Sequence, residues 1–251
     1  MNKQAWTVSK LNLSNIRTPY FVTGLVFMLI FAQSLVYMIV SFASGKAGGQ
    51  LNISSGNYIW LLMILAAIFI PARNFRKMVN LGAKREGIFQ GGAVTYAALA
   101  GFTALANTAL FYTVERFLIG TGYYAGFEAF MRDPSLMDHK YISVNLIELF
   151  GWSARGPGFA IAQQFAFLML LAAAVHTLTA MQDKWYGWVT DLAIAAILSV
   201  FIPIAPLRAW LVRFFDLILF NANPFMQISV CLLLAAAVYA LSKPIFARKV
   251  I

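Results

Sequence analysis

One cysteine, two histidines and nine acidic residues are all that 251 positions offer of the side chains that most often carry redox, metal or acid–base chemistry. Cys231 alone cannot close an internal disulfide, and His139 and His176 cannot build a zinc site without carboxylate help. Charge is scarce too. Only 11% of residues are charged, against about 25% in a soluble domain, and 61% are apolar, against about 45 to 50%. So few charges cannot coat a chain of this size in water. Phosphate-loop chemistry is missing as well: in SGKAGG at 44–49, Val40 stands where the first glycine belongs and Ala47 where a hydroxyl should bind magnesium. HExxH is absent, and GWSARG at 151–156 lacks the spacing of a nucleophile turn. The chain is therefore expected to be no enzyme, to hold no metal and to need no cofactor of its own.

What it does have is hydrophobic length. A helix needs about 20 apolar residues to cross a hydrocarbon core about 30 Å thick, because lipid offers no partners for backbone N–H and C=O groups. Stretches near 19–42, 57–72, 91–114, 157–180, 187–206 and 224–242 supply them. The expected fold is an all-α membrane protein with six transmembrane helices in a single domain. The second stretch is the shortest and is open to an earlier start near Leu51, with Pro71 marking its inner end or a kink.

The net charge of +10 would suggest nucleic acid in a soluble chain, but here its distribution speaks to topology. With the N-terminus inside, twelve cations fall on the inner side: Lys3, Lys10, Arg17, Arg73, Arg76, Lys77, Lys84, Arg85, Lys184, Lys243, Arg248 and Lys249. The outer side keeps seven, diluted by six acids. The positive-inside bias therefore places both termini in the cytoplasm and the protein in the cell membrane, with the bilayer as a partner and no nucleic acid.

The connections add detail. Residues 1–18 interleave Trp6, Val8, Leu11, Leu13 and Ile16 with Lys3, Lys10 and Arg17, the pattern of an amphipathic segment lying along the membrane surface. From Arg73 to Gly92 the chain is basic and longer than a turn requires. A helix there would put Phe75, Met78, Val79 and Leu81 on one face and Arg76, Lys77 and Asn80 on another, with Gly82 permitting a break before Ile88 and Phe89. This segment reads either as a retention signal touching anionic lipid or as a docking element. The outer segment 115–156 is too short for a separate domain, and its apolar run at 141–152 is expected to form an interfacial helix, with a surface loop as the alternative. Between the last two spans, Pro203 and Pro206 precede a half-charged apolar stretch that fits a broken, re-entrant segment in the outer leaflet.

Ionisable or strongly polar groups within the spans are few, and each is a candidate for function. His176 and Asp191 stand equally far from the turn at 183–184, which places them at similar depth and within reach of a hydrogen bond, as a gate or a structural contact. Gln33, Gln163 and Gln164 would line a polar path or pack between helices. Ala93, Ala97 and Gly101 form a small-residue face suited to close helix approach.

This layout resembles the membrane (permease) subunits of bacterial type-2 ABC exporters. The shared features are six spans with both ends inside, an amphipathic N-terminal elbow, a basic helix after the second span and a broken hairpin before the sixth. The local match is NLGAKREGIFQGG at 80–92, through Gly82, Ala83, Lys84, Arg85, Phe89 and Gly91. The resemblance implies a coupling-type helix inserted into a separate ABC ATPase subunit, which would bind ATP and magnesium, and a second permease subunit completing the path. Docking would then fall to Arg73, Arg76, Lys77, Lys84 and Arg85 as charges and to Phe75, Met78 and Phe89 as apolar anchors. A non-transporting membrane anchor or regulatory subunit would use the same features. The greasy spans favour an amphipathic peptide or lipid-like cargo over a small ion.

Overall fold

Lipid-soluble segments must satisfy their own backbone, and the chain does so almost entirely with helices. A computed structural model describes residues 3–46, 49–182 and 184–247. Arg248 and Lys249 of the inner cations, and Ala47 of the phosphate-loop echo, lie outside the described residues. The elements in order are α1 (Lys3–Asn15), α2 (Arg17–Ser44), β1 (Gln50–Ile53), α3 (Trp60–Phe69), α4 (Phe75–Asn80), α5 (Arg85–Leu110), α6 (Arg116–Gly120), β2 (Tyr124–Gly126), α7 (Phe127–Arg132), β3 (Tyr141–Val144), α8 (Leu146–Leu149), α9 (Pro157–Met181), α10 (Trp185–Phe201), α11 (Ala205–Phe215) and α12 (Pro224–Ala247).

Among the described residues, five helices are long and apolar enough to cross a bilayer: Arg17–Ser44, Ser55–Asn80, Arg85–Gly120, Pro157–Met181 and Pro224–Ile245. The remaining apolar helical stretch is a pair, Trp185–Phe201 and Ala205–Phe220, bent by 115° at the break. The helical membrane-type architecture is therefore present, with five continuous candidates and one broken one. α10 covers about 26 Å at 1.5 Å per residue, and Pro206 sits in the first turn of α11, where its missing donor costs nothing.

The second stretch is longer than its apolar core suggests. Leu51 lies in β1 rather than in the helix, and the helix starts at Ser55 and continues through Pro71 to Asn80. A π turn over Ile70–Asn74 absorbs the proline, which can neither donate to an i−4 carbonyl nor leave room for it. Pro71 is thus a splice within the helix and not its end.

The chain divides into two compact units. The first comprises Met1–Arg17, Met63–Ala100 and Phe165–Ile251. Its packing centre joins Val8 of α1, Phe75 and Met78 of α4, Ile88 of α5 and Ala180 of α9. α1 buries Ala5, Val8, Ser9 and Asn12, one stripe at helical spacing, while Trp6 and Leu11 are exposed. Of the apolar set read from the sequence, Val8 and Ile16 are buried, Leu13 is half-buried, and Trp6 and Leu11 are exposed, so the stripe facing the protein mixes apolar and small polar residues. Asn12 donates to Thr95 Oγ1 at 3.3 Å and accepts from Asn74 at 3.3 Å, so its buried amide is partnered within the unit.

The second unit comprises Thr18–Leu62 and Gly101–Gln164. It holds a three-stranded, fully parallel sheet of order β1-β3-β2, with Gln50 and Tyr124 both opposite Tyr141. The helix expected over 141–152 is not there. Its first four residues form β3, the central strand, followed by the single turn of α8 and a 3-10 turn at Trp152–Arg155. Tyr141, Ile142 and Val144 are aromatic or β-branched, and a short apolar run fits a buried strand as well as a helix. Glu148 accepts hydrogen bonds from the backbone of Phe127 (3.1 Å) and Glu128 (3.0 Å), capping α7. At the surface of this unit, the Ser135 side-chain and backbone donors hold the Asp133 carboxyl below its ordinary pKa.

Apolar side chains cover much of the outside. Phe21, Leu192 and Leu233 are 70, 70 and 71% exposed. Soluble monomers rarely present contiguous surface of this kind, whereas hydrocarbon accepts it without cost.

Candidate functional site

The basic segment after the second long helix is built by two helices and a tight turn. α4 continues the helix past the π turn to Asn80, and α5 starts at Arg85, so only Leu81 to Lys84 lie between them. The stop is a Schellman motif. Ala83 N–H donates to Met78 O at 3.0 Å and Gly82 N–H to Val79 O at 2.9 Å, while Gly82 adopts φ +79°. A left-handed residue there is what lets the chain reverse, and glycine adopts it without steric penalty.

This geometry sorts the candidate docking residues. Arg73, Arg76, Lys77 and Lys84 are exposed, and Arg85 is half-buried. Phe75 and Met78 are 0 and 1% exposed and belong to the packing centre of the first unit, so they offer no surface to a partner. Phe89 is partly buried and stacks on Tyr239 with ring centroids 4.4 Å apart. The apolar side chain that does project is Leu81, 73% exposed at the turn. Periodicity groups Leu81 with Met78, three residues earlier, but the helix ends at Asn80 and Leu81 leaves that face. The signal was the adjacent Gly82. The tip is thus an exposed leucine in a four-residue turn between two helices, with exposed Lys77 and Lys84 close to it in sequence.

The polar residues of the spans fall in both units, His176 and Asp191 in the first and Gln33, Gln163 and Gln164 in the second. His176 and Asp191 do not pair. His176 Nδ1 shares a hydrogen bond of 2.6 Å with Tyr96 Oη, and Asp191 Oδ2 accepts from Gln182 Nε2 at 2.6 Å. Equal distance from a turn places two residues at similar depth, but facing is set by helix rotation, which that arithmetic ignores. Gln164 accepts from Asn107 Nδ2 at 2.9 Å and donates to Thr108 Oγ1 at 2.7 Å within the second unit. With both ends of its amide engaged and no exposure, it packs α9 against α5. Gln163 is buried at 5% exposure, and Gln33 donates to Tyr37 Oη at 2.9 Å one turn along α2. Of the small-residue face, Gly101 has open space beside it, and Ala93 lines a cavity in the first unit.

Sequence reasoning missed a buried polar joint in the second unit. Glu115, 5% exposed, accepts hydrogen bonds from Ser54 Oγ and from Asn145 Nδ2, the latter at 2.7 Å. Asn57 adds two more bonds, donating to Val144 O at 2.8 Å and accepting from Leu146 N–H at 3.0 Å. These contacts tie β3 and α8 to the helix starting at Ser55 and to the end of the α5 extension. No local pattern announces them, because the partners lie 30 to 91 positions apart.

No known family model matches this chain, and no curated protein or solved structure is detectably similar to it.

Proposed function

We propose that this chain is the membrane permease subunit of an ATP-driven exporter of the ABC type, with both termini cytoplasmic and the hairpin tip at 73–85 as the docking point for a separate ATPase. The observation that carries the reading is the tip: Leu81 is exposed on a glycine-closed turn, with exposed Arg76, Lys77 and Lys84 within five residues of it and exposed Arg73 further back along the helix. Exposed cations in the same segment as an apolar knob are suited to an acidic-edged cleft, since charge steers and orients while the buried apolar group supplies affinity. Supporting features are α1 packed beside the tip, the helices long enough to cross a bilayer and the 115° break before the last helix. Two permease subunits would form the path, and closure of the ATPases would switch its access. The cargo is read as amphipathic, in keeping with walls that carry few charges.

Purification from native membranes tests this. The wild-type protein should bring down a chain with a phosphate-loop ATPase sequence and ATP hydrolysis, and Arg76→Glu with Lys84→Glu should lose both. Leu81→Asp should weaken the association by about tenfold or more, the range of an interface anchor. Retention of the ATPase by both variants would place docking elsewhere. A cysteine introduced at Leu81 that reacts only with reagents from the far side of the membrane would remove the reading altogether.

A further inference from the structure

The first unit contains a cavity of about 330 Å³ between α5, α9 and α12. Its walls include Ala93 and Tyr96 from α5, Ala173 from α9, and Leu232, Ala236 and Tyr239 from α12. The alanines make the space, because a larger side chain at any of them would occupy it. Leu232 and Ala236 are also exposed, so the cavity opens through the outer, apolar face of α12. Ligand pockets fall in the range of about 300 to 1,000 Å³ and are mostly apolar with a few placed polar groups. Here the polar groups gather at one end. Tyr239 Oη donates to Phe89 O at 2.7 Å, and Tyr96 Oη is hydrogen-bonded to His176 Nδ1 at 2.6 Å.

That end leads to charge. Tyr239 stacking on Phe89 sets the beginning of α5 beside the last turns of α12. Arg85 precedes Phe89 by four residues and Lys243 follows Tyr239 by four, each about 6 Å further along its helix and on the same face. Lys243 is exposed and Arg85 half-buried. An apolar slot open to the surrounding hydrocarbon, with a cation one turn beyond its polar end on each of two neighbouring helices, has the dimensions and charge order of one amphiphile.

We propose that this cavity binds an acyl chain of an anionic phospholipid, with the headgroup phosphate held by Arg85 and Lys243. The inference rests on the membrane reading but not on the ATPase. A lipid tail enters sideways through the Leu232 and Ala236 opening without crossing a polar barrier. The phosphate then meets the two cations at the depth where the helices end.

The test is lipid retention by the intact chain. Protein reconstituted in an equal mixture of phosphatidylglycerol and phosphatidylcholine is released into mild detergent, and bound lipids are counted by native mass spectrometry. Wild type should retain phosphatidylglycerol at least about fivefold over phosphatidylcholine, the discrimination that one cation near the surface supplies. Ala236→Phe, which fills the opening, should retain neither above background. Lys243→Glu, on the surface and harmless to packing, should abolish the preference. Unchanged retention by Ala236→Phe overturns the site, and equal retention of the two lipids by wild type overturns the headgroup assignment. Displacement of the lipid by glycerol phosphate would show that the acyl chain contributes nothing. A shift from dimer to monomer in Ala236→Phe with unchanged lipid counts would give the slot to a second copy and overturn the proposal. Because the readout is lipid and not transport, failure here leaves the exporter reading standing.

Discussion

At Gly91 a methyl group would lie 2.5 Å from Val8 Cγ1 and 2.9 Å from Ala5 O, closer than side chains tolerate. The glycine is there so that α1 can lie directly on α5, and the backbone oxygen in the contact cannot rotate away. Gly91→Ala is expected to lower stability by about 1 to 3 kcal/mol, measured as a reduced thermal midpoint in detergent. An unchanged midpoint would mean that α1 sits elsewhere. The same scale explains why His176 and Asp191 looked alike in the sequence and differ in the fold. One is 1% exposed against Tyr96, whereas the other is half-buried in the second turn of α10 and bonded to Gln182. Nothing in the neighbouring residues of either reveals which partner the helix rotation selects.

At the scale of elements, the α4–turn–α5 segment was legible except for which side chain projects at its tip. Apolar spacing located Phe75 and Met78 on one face, and Gly82 marked the break. What periodicity could not say is whether that face met a partner or the protein's own α1, since both bury the same atoms. The turn itself makes a sharp demand. Gly82→Val would force a β-branched side chain to φ +79°, at a cost of about 1 to 2 kcal/mol for a left-handed residue and more for β-branching. Faster proteolysis between Lys77 and Arg85 is the expected outcome, read by limited trypsin digestion. Digestion at the wild-type rate would show that the reversal does not need the left-handed residue. The sheet is the opposite case. β1, β2 and β3 are three or four residues each, and their parallel pairing joins positions about 90 and 17 apart, so no hairpin signal precedes them.

For the whole molecule, the exposed apolar surface sets the behaviour. Helices whose outward residues include Phe21, Leu192 and Leu233 should remain with the membrane fraction after alkaline carbonate treatment and dissolve only in detergent. Release into the carbonate supernatant would contradict a membrane-embedded fold. The two compact units also divide the chemistry. Cations cluster at the tip of the first unit, whereas the second carries the buried carboxylate of Glu115 and its Ser54 and Asn145 partners.

Composition and hydropathy alone determined that this is a helical protein matched to hydrocarbon, because backbone groups in lipid leave the chain no other local solution. They also located the basic turn, because charge and a left-handed glycine are properties of single positions. Tertiary structure alone decided which polar side chains meet, which face of α1 is covered, that residues 141–144 form a strand, and that Leu81 rather than Phe75 or Met78 is exposed. Each of these depends on the rotation and depth of one element against another, and the packing energy that fixes them comes from residues far apart in the chain.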